Sequence, residues 1–207
     1  LGTPLSVLGS NLDLLLGDPR YEGLRTRLEA MQSQVHHCSE LVRSTMNYLR
    51  QTTATRSYFT LNGAVSTCLE VAKPLIARTR VKECIDLDPA LPPCYGDVTL
   101  VRQALLNLIT NACQAMAACP PPRQLTVLTW VEGHCACVAV RDSGPGVPAH
   151  HRAHVFTPLY STKQESGTGL GLAVVHHVMD VHEGEAVLDD TPGPGANFIL
   201  RFPLDTE

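Results

Sequence analysis

Two runs of apolar residues with heptad spacing occupy the first quarter of the chain. The first run places leucines four and three residues apart, at Leu1, Leu5, Leu8, Leu12 and Leu15. After a break at Gly17-Asp18-Pro19, a second run continues from Leu24 to Leu49. Heptad seams favour helices packed at a shallow angle, so the pattern predicts a helical hairpin. Two helices cannot hide both seams, and we therefore expect a homodimer that forms a four-helix bundle through residues 1–52.

After a polar segment at 53–57, which we interpret as a linker, helical and strand-like patterns alternate. Helices are predicted at Leu61–Thr79, at Asp97–Ala117 with Asp97 as the N-cap, and at Leu170–Val181. Strands are predicted at Val81–Leu87, Leu125–Glu132, Cys135–Arg141, Glu185–Asp189 and Asn197–Phe202. Strand hairpins with helices on one face indicate an α/β sandwich over residues 58–207. The predicted fold class is therefore α+β, with a helical hairpin followed by this sandwich.

The charge and apolar content of the chain limit the classes of partner that we expect. The net charge of −4, from 16 basic and 20 acidic side chains, gives no electrostatic case for nucleic acid or an anionic membrane surface. No apolar run has the length of a membrane span, so we expect a cytoplasmic core, with membrane contact only through segments outside these residues. The chain begins in mid-helix pattern without a Met, and we expect it to be part of a longer protein.

The eight cysteines contain no Cys-x-x-Cys pair, which removes support for zinc ribbons and thioredoxin-type motifs. We interpret them as reduced thiols, with Cys135 and Cys137 on one strand face as small core residues.

The predicted helix 97–117 carries a polar stripe on an otherwise apolar surface. Gln103, Asn107 and Asn111 are spaced i, i+4 and i+8, so they share one face. Buried amides need hydrogen-bond partners, and an internal network would provide them. The alternative is a row of oxygen ligands for a hydrated Mg²⁺ that carries phosphates, which suits a hard cation. The stripe alone leaves both interpretations open.

Three further segments are compatible with a nucleotide. Asp142-Ser143-Gly144-Pro145-Gly146 follows a strand and is either an ordinary turn or a carboxylate that accepts from an adenine amino group. The polar segment Val155–Lys163 is either a solvated loop or the carrier of a lysine for a terminal phosphate. Gly167-Thr168-Gly169-Leu170-Gly171 precedes a helix, whose N-terminal amides attract anions. No Lys-Ser/Thr follows these glycines, which argues against a P-loop.

The order of these segments is more specific than any one of them. Asn-x-x-x-Asn, Asp-x-Gly-x-Gly, Phe-Thr-Pro…Thr-Lys and Gly-x-Gly-x-Gly resemble the nucleotide-binding boxes of sensor histidine kinases. These kinases share a superfamily with gyrase, the Hsp90 chaperones and the MutL repair proteins. Leu1-Gly2-Thr3-Pro4-Leu5 is similar to the end of the kinase H-box, and His182-Glu183-Gly184 is similar to the family's His-Gly-Gly, with Glu183 departing from it. The resemblance covers essentially the whole chain.

The resemblance implies an ATP-dependent protein-histidine kinase that passes its phosphoryl group to an Asp of a response regulator receiver domain. It assigns Mg²⁺ to Asn107 and Asn111, and adenine to Asp142 with Gly144 and Gly146. It assigns the phosphates of ATP to Thr162, Lys163, Gly167, Thr168, Gly169, Leu170 and Gly171. A mobile lid is implied from about His150 to Ser166.

Position 107 separates branches of the superfamily. Hydrolysing members carry a water-activating Glu there, and an amide such as Asn107 cannot take that proton. The resemblance therefore favours transfer to a protein acceptor over hydrolysis, and a degenerate module that only binds nucleotide is the other alternative. The family's phosphoacceptor histidine would lie two residues before Leu1, so these residues alone are predicted unable to autophosphorylate.

Two hairpin residues carry further hypotheses. By resemblance, Thr3 orients water for dephosphorylation of the response regulator; the alternative is a helix-capping residue before Pro4. Cys38, beside His36 and His37, is similar to the cysteine of a redox-responsive branch of sensor kinases. The alternative is a thiol that packs in the heptad seam.

Overall fold

The computed structural model describes residues 2–49, 55–160, 169–190 and 194–204. The chain divides into two units, one with Leu1–Thr53 and Leu159–Leu170, the other with Ala54–Pro158 and Gly171–Glu207. The first unit contains the hairpin, and the second contains the mixed helix and strand region.

The hairpin consists of helices α1 (Gly2–Leu16) and α2 (Arg25–Leu49), joined by a 3₁₀-helix at Pro19–Leu24. Asp18 caps the 3₁₀-helix by accepting a hydrogen bond from the Arg20 main-chain N–H at 3.0 Å. This confirms the predicted break at Gly17-Asp18-Pro19, because α1 ends just before it. Leu28 is buried, whereas Leu8, Leu24 and Met31 are 51%, 47% and 59% exposed. The hairpin of one chain therefore leaves much of its apolar seam open.

The second unit contains four helices among its described residues, and they are α3 (Leu61–Thr79), α4 (Val98–Met116), α5 (Ala149–Arg152) and α6 (Gly171–Val181). Its strands are β1 (Ser57–Phe59), β2 (Lys82–Leu87), β3 (Cys94–Gly96), β4 (Gln124–Glu132), β5 (Cys135–Asp142), β6 (Glu185–Leu188) and β7 (Asn197–Pro203). Five of the strands form one sheet in the order β2-β4-β5-β7-β6, in which only the β2–β4 pair is parallel. The predicted β4–β5 hairpin is confirmed.

The short strands β1 and β3 form a separate antiparallel pair, with Tyr58 opposite Tyr95. Neither strand was predicted from the sequence, because three residues are too few for a recognisable alternation. Phe59 points into the core from β1, where its ring packs edge-on against Phe202 at 6.5 Å. The pair thus closes one end of the core.

Alternate residues of the five-stranded sheet pack against α3, α4 and α6 in one apolar cluster. Val127, Val138 and Leu200 share this face with Asp142 at the end of β5. The opposite face contains Cys135 and Cys137, which do share a side of β5 as predicted. Their prediction as core residues is wrong for Cys135, which is half-buried, and Cys137 is buried on the face away from the helices. The alternation of side chains along a strand shows that two residues share a face of the sheet, but it does not show which face packs against the helices.

Candidate functional site

Helix α4 positions the predicted amide stripe. Asp97 is its N-cap, as predicted, and accepts hydrogen bonds from the N–H groups of Thr99 at 2.8 Å and Leu100 at 3.3 Å. The buried side of the helix includes Val101, Leu105, Leu108 and Ala112, which fix its rotation. Asn107 and Asn111 therefore lie together on a half-buried edge of the helix.

Both amides meet the start of α6. The Asn107 Nδ2 donates to the Gly171 carbonyl oxygen at 3.1 Å, and a Cβ on Gly171 would lie 3.6 Å from the Asn111 Nδ2. Among the described residues no group donates to the Asn107 Oδ1, and the Asn111 amide has no hydrogen-bond partner. Amide oxygens that are free to accept are suitable ligands for Mg²⁺, so the donor set fits this ion. The N-terminus of α6 adds main-chain N–H groups and the positive end of a helix dipole.

Asp142 ends β5 as a buried carboxylate, 5% exposed. Its Oδ1 accepts the Gly144 N–H at 2.7 Å, and its own N–H donates to the Ala196 carbonyl at 2.9 Å. Burial raises the pKa of Asp142, and hydrogen bonds from the main-chain amides of Gly144 and Ala196 oppose this rise. A buried acceptor of this kind has unused lone pairs that can accept from an exocyclic amino group.

Glycines surround Asp142 at close range. Gly146 has φ +73° and a Cβ there would lie 2.8 Å from the Gly195 carbonyl oxygen. Gly195 has φ +91°, and a Cβ there would overlap the Asp142 carbonyl oxygen. No role was predicted for Gly195 from the sequence, and this contact was missed. The Gly-Pro-Gly run at 193–195 was the available signal, but it does not reveal what the turn touches.

The segment after the Asp142 motif differs in part from its prediction. His150, His151 and Arg152 lie in α5, and Val155 is buried. Phe156 packs against Phe198 with ring centroids 6.1 Å apart. The start of the polar segment is therefore anchored by apolar packing and is not a solvated loop, while the mobile lid from about His150 to Ser166 stays a prediction.

The glycine-rich motif is described only at its C-terminal end. Gly169, with φ +65°, accepts a hydrogen bond from the Leu159 N–H at 3.0 Å. Leu170 is half-buried and Gly171 begins α6. Thr162, Lys163, Gly167 and Thr168 lie outside the described residues, so their assignments to phosphates stay predictions.

Thr3 lies in α1. The structure does not describe the side chains of Thr3, His36 and His37. Cys38 is exposed on α2, at a position of the open seam. Both hypotheses for Cys38 remain. A thiol in the open seam of a single chain is exposed whether its role is to pack in the seam or to react with an oxidant.

Two kinds of feature are missing from the described residues, a membrane-spanning helix and a cluster of metal-binding side chains. No helix there is both long and apolar enough to cross a membrane. No group of three or more His, Cys, Asp or Glu side chains in that part of the chain could hold a metal ion. A magnesium site made of amide oxygens and phosphates would not require such a group.

Comparison with known proteins identifies the family. The family described as histidine kinase-, DNA gyrase B-, and HSP90-like ATPase matches residues 96–206, which include α4, the Asp142 motif and α6. The chain belongs to this family of ATPases.

Within this family, the chain is similar to named histidine kinases. The chain is 27% identical over 181 residues to the signal transduction histidine-protein kinase AtoS of Escherichia coli strain K12, covering 87% of this chain and 29% of AtoS. It is 34% identical over 134 residues to the sensory histidine kinase/phosphatase NtrB of Klebsiella oxytoca, covering 60% of this chain and 37% of NtrB. The chain thus spans about a third of these relatives.

A solved structure shows the same fold. The catalytic domain of histidine kinase ThkA superposes with a TM-score of 0.63 at 26% identity, covering 72% of this chain and 97% of that domain. The predicted α/β sandwich and the resemblance to sensor histidine kinases are therefore confirmed. The ATP-binding domain is confirmed at the level of the family, whereas Mg²⁺ and the dimer stay predictions.

Proposed function

We propose that this chain is the core of a sensor histidine kinase that transfers the γ-phosphoryl group of ATP to a histidine and then to an Asp of a response regulator. The observation that carries the proposal is the meeting of the Asn107 and Asn111 amides with the N-terminus of α6, on the same domain as the buried Asp142. The names of the relatives support the reaction, since AtoS and NtrB are histidine kinases.

Each group has a role in this proposal. Asp142 accepts from the adenine amino group, and the absence of side chains at Gly144 and Gly146 lets a flat ring approach the main chain. The amide oxygens of Asn107 and Asn111 hold Mg²⁺, which neutralises phosphate charge when bound. The N-terminal amides of α6 receive phosphate oxygens. The roles proposed for Lys163 and Thr168 toward phosphate rest on the motif resemblance alone. Phosphoryl transfer depends mainly on such positioning and charge neutralisation.

Transfer is favoured over hydrolysis by Asn107. Its Nδ2 already donates to Gly171, and an amide has no basic atom that can take a proton from water. The γ-phosphorus–oxygen bond to ADP breaks and a phosphorus–nitrogen bond to an imidazole forms, with the imidazole proton released. The phosphoryl group then moves from that nitrogen to a carboxylate oxygen of the regulator.

The test uses a longer form, made by extending this chain at its N-terminus so that a histidine stands two residues before Leu1, where the H-box resemblance expects the phosphoacceptor. Incubation with Mg²⁺ and γ-labelled ATP should give acid-labile, base-stable label on the protein, which is typical of phosphohistidine. The matched 207-residue chain should stay unlabelled. Label on neither protein, with nucleotide binding intact, would support the alternative of a binding module, and steady release of phosphate would support a hydrolase.

We propose that the kinase is a homodimer through residues 1–52. The support is the exposure of Leu8, Leu24 and Met31 along one heptad seam. Sedimentation should give a dimer for the whole chain and a monomer for a chain that starts at Tyr58. A dimer of the shortened chain would contradict the proposal.

A second activity, dephosphorylation of the regulator, is proposed for Thr3. The support is the H-box resemblance and the similarity to NtrB, a sensory histidine kinase/phosphatase. In the longer form, Thr3→Ala should slow loss of phosphate from the regulator and spare autophosphorylation. Equal loss of both activities would indicate a structural role for Thr3 instead.

A further inference from the structure

Helices α4 and α6 are hydrogen-bonded to each other at the end remote from Asn107. His182 follows α6 directly and is 6% exposed. Its Nδ1 lies 2.6 Å from the Val178 carbonyl oxygen, and its Nε2 lies 2.9 Å from the main-chain nitrogen of Asp97, the N-cap of α4. The ring therefore connects the last turn of α6 to the first turn of α4.

These two contacts define one tautomer of the ring. A main-chain N–H only donates and a carbonyl only accepts, so Nε2 must accept from Asp97 while Nδ1 carries the hydrogen for Val178. The neighbours hold the ring in place, because a Cβ on Gly96 would overlap it and Phe202 packs edge-on against it at 5.8 Å. The His182 ring is thus fixed in both position and hydrogen-bonding pattern.

Two residues of the predicted linker bind the same helix ends. The Thr55 N–H donates to the Asp97 Oδ2 at 3.1 Å, while the Asp97 Oδ1 caps α4. The Arg56 Nη2 donates to the Val181 carbonyl oxygen at 2.7 Å, in the last residue of α6. The linker therefore contacts α4 through one residue and α6 through the next.

Asn107, in the middle of α4, donates a hydrogen bond to the Gly171 carbonyl oxygen at the start of α6, so α6 is bonded to α4 at both of its ends. About ten residues of helix, roughly 15 Å, separate Asp97 from Asn107. A helix of this length moves as a rigid rod, because its hydrogen bonds resist bending. A shift at the Asp97 end therefore changes the separation of Asn107 from the N-terminus of α6.

We infer that His182 is a positioning residue of the nucleotide site, and that Thr55 and Arg56 make this site responsive to the linker. His182 sets the register of α4 against α6, and the linker residues hold the same two helix ends. Displacement of the linker would loosen the helix pair and lower nucleotide affinity. This inference rests on the proposed function, since it takes the meeting point of Asn107 and Gly171 as part of the nucleotide site.

The test separates the two contacts of the ring. His182→Gln places an amide oxygen near the Nε2 position and can still accept from Asp97, whereas His182→Asn reaches only the Nδ1 position and keeps the Val178 bond. Arg56→Ala removes the linker contact to Val181, and Arg78→Ala, an exposed arginine on α3, is its control. The readout is Mg-ADP binding to the 207-residue chain by calorimetry, with thermal unfolding to give the folded fraction.

We expect the dissociation constant of Mg-ADP to rise about fivefold in His182→Asn and about threefold in Arg56→Ala, the size of one lost hydrogen bond. His182→Gln and Arg78→Ala should stay within about twofold of the wild type.

Equal weakening of Mg-ADP binding by His182→Gln and His182→Asn, or equal binding by wild type and His182→Asn, would overturn the role of His182. If His182→Asn does not fold, the comparison of His182→Gln with wild type decides, since loss of binding in folded His182→Gln contradicts the inference. Equal binding by Arg56→Ala and Arg78→Ala would overturn the linker role. Absence of binding by the wild type would instead contradict the proposed function.

Discussion

The Asn107 Nδ2 donates a hydrogen bond to the carbonyl oxygen of Gly171 at 3.1 Å, across two helices that are far apart in sequence. One amide of the stripe on α4 thus has a structural bond, and the next, Asn111, has no hydrogen-bond partner among the described residues. The two asparagines should therefore respond differently to substitution.

Asn111→Ala should abolish magnesium-dependent nucleotide binding and change the free energy of unfolding by less than about 0.5 kcal/mol. Asn107→Ala should also weaken binding, but it removes a protein hydrogen bond and should cost about 1 kcal/mol of stability. Calorimetry and urea unfolding of both variants measure the two effects. Undiminished affinity of Asn111→Ala, with normal magnesium dependence, would remove Asn111 from the site.

Asp142→Asn should weaken adenine binding without reducing stability near neutral pH. Burial raises the pKa of Asp142 above its ordinary value of 3.8, so the folded protein favours the uncharged carboxyl. As the pH rises from 3.8 through the raised pKa, the unfolded chain loses its proton first, and this group's contribution to stability falls. An amide does not titrate and lacks this pH dependence.

Urea unfolding at about pH 4 and about pH 7 measures this difference. The stability of Asp142→Asn relative to the wild type should increase with pH. ATP and GTP binding are measured in parallel, because unchanged affinity for both nucleotides would show that Asp142 does not contact the base.

Glu183→Gly should stabilise the protein by about 1 kcal/mol. Glu183 is exposed, with φ +55°, in the left-handed region that favours glycine. This is the position where the sequence departs from the family's His-Gly-Gly. The opposite control is Gly133→Ala, at φ +59° with no atom within 4 Å of the added Cβ, which should destabilise by a similar amount. Thermal unfolding of both variants checks the sign, and destabilisation by Glu183→Gly would mean that its side chain contributes more than the backbone strain costs.

The cysteines should divide by burial in their reaction with an alkylating reagent. Burial raises the pKa of Cys68 and Cys137 to about 11 and of Cys94 to about 12, so these thiols form little thiolate near pH 8. Cys38 and Cys84 are exposed and should be modified first. Mass spectrometry after brief alkylation locates the modified residues.

The redox hypothesis for Cys38 is checked with the chain extended before Leu1 that is used to test autophosphorylation. Cys38→Ser should remove any oxidant-dependent change in kinase activity or oligomeric state, and Cys84→Ser is the matched control because Cys84 is also exposed. If oxidant sensitivity persists in Cys38→Ser, the redox hypothesis is wrong, and packing in the heptad seam is the remaining interpretation of Cys38.

The local features of this chain follow from short-range pattern. The N-cap at Asp97, the shared face of Asn107 and Asn111, and the break before Pro19 could be predicted because a few neighbouring residues decide each of them. The order of the four motifs was sufficient to indicate the family.

Contacts between distant segments were decided only by the tertiary structure. The overlap that Gly195 avoids with Asp142, the bond from His182 to Asp97, and the pairing of β1 with β3 each join segments that no periodicity relates. The alternation in β5 showed that Cys135 and Cys137 share a face, but the packing of α3, α4 and α6 determined which face became the core. A sequence pattern fixes which residues lie on one side of an element, whereas the side that is buried depends on the other elements that pack against it.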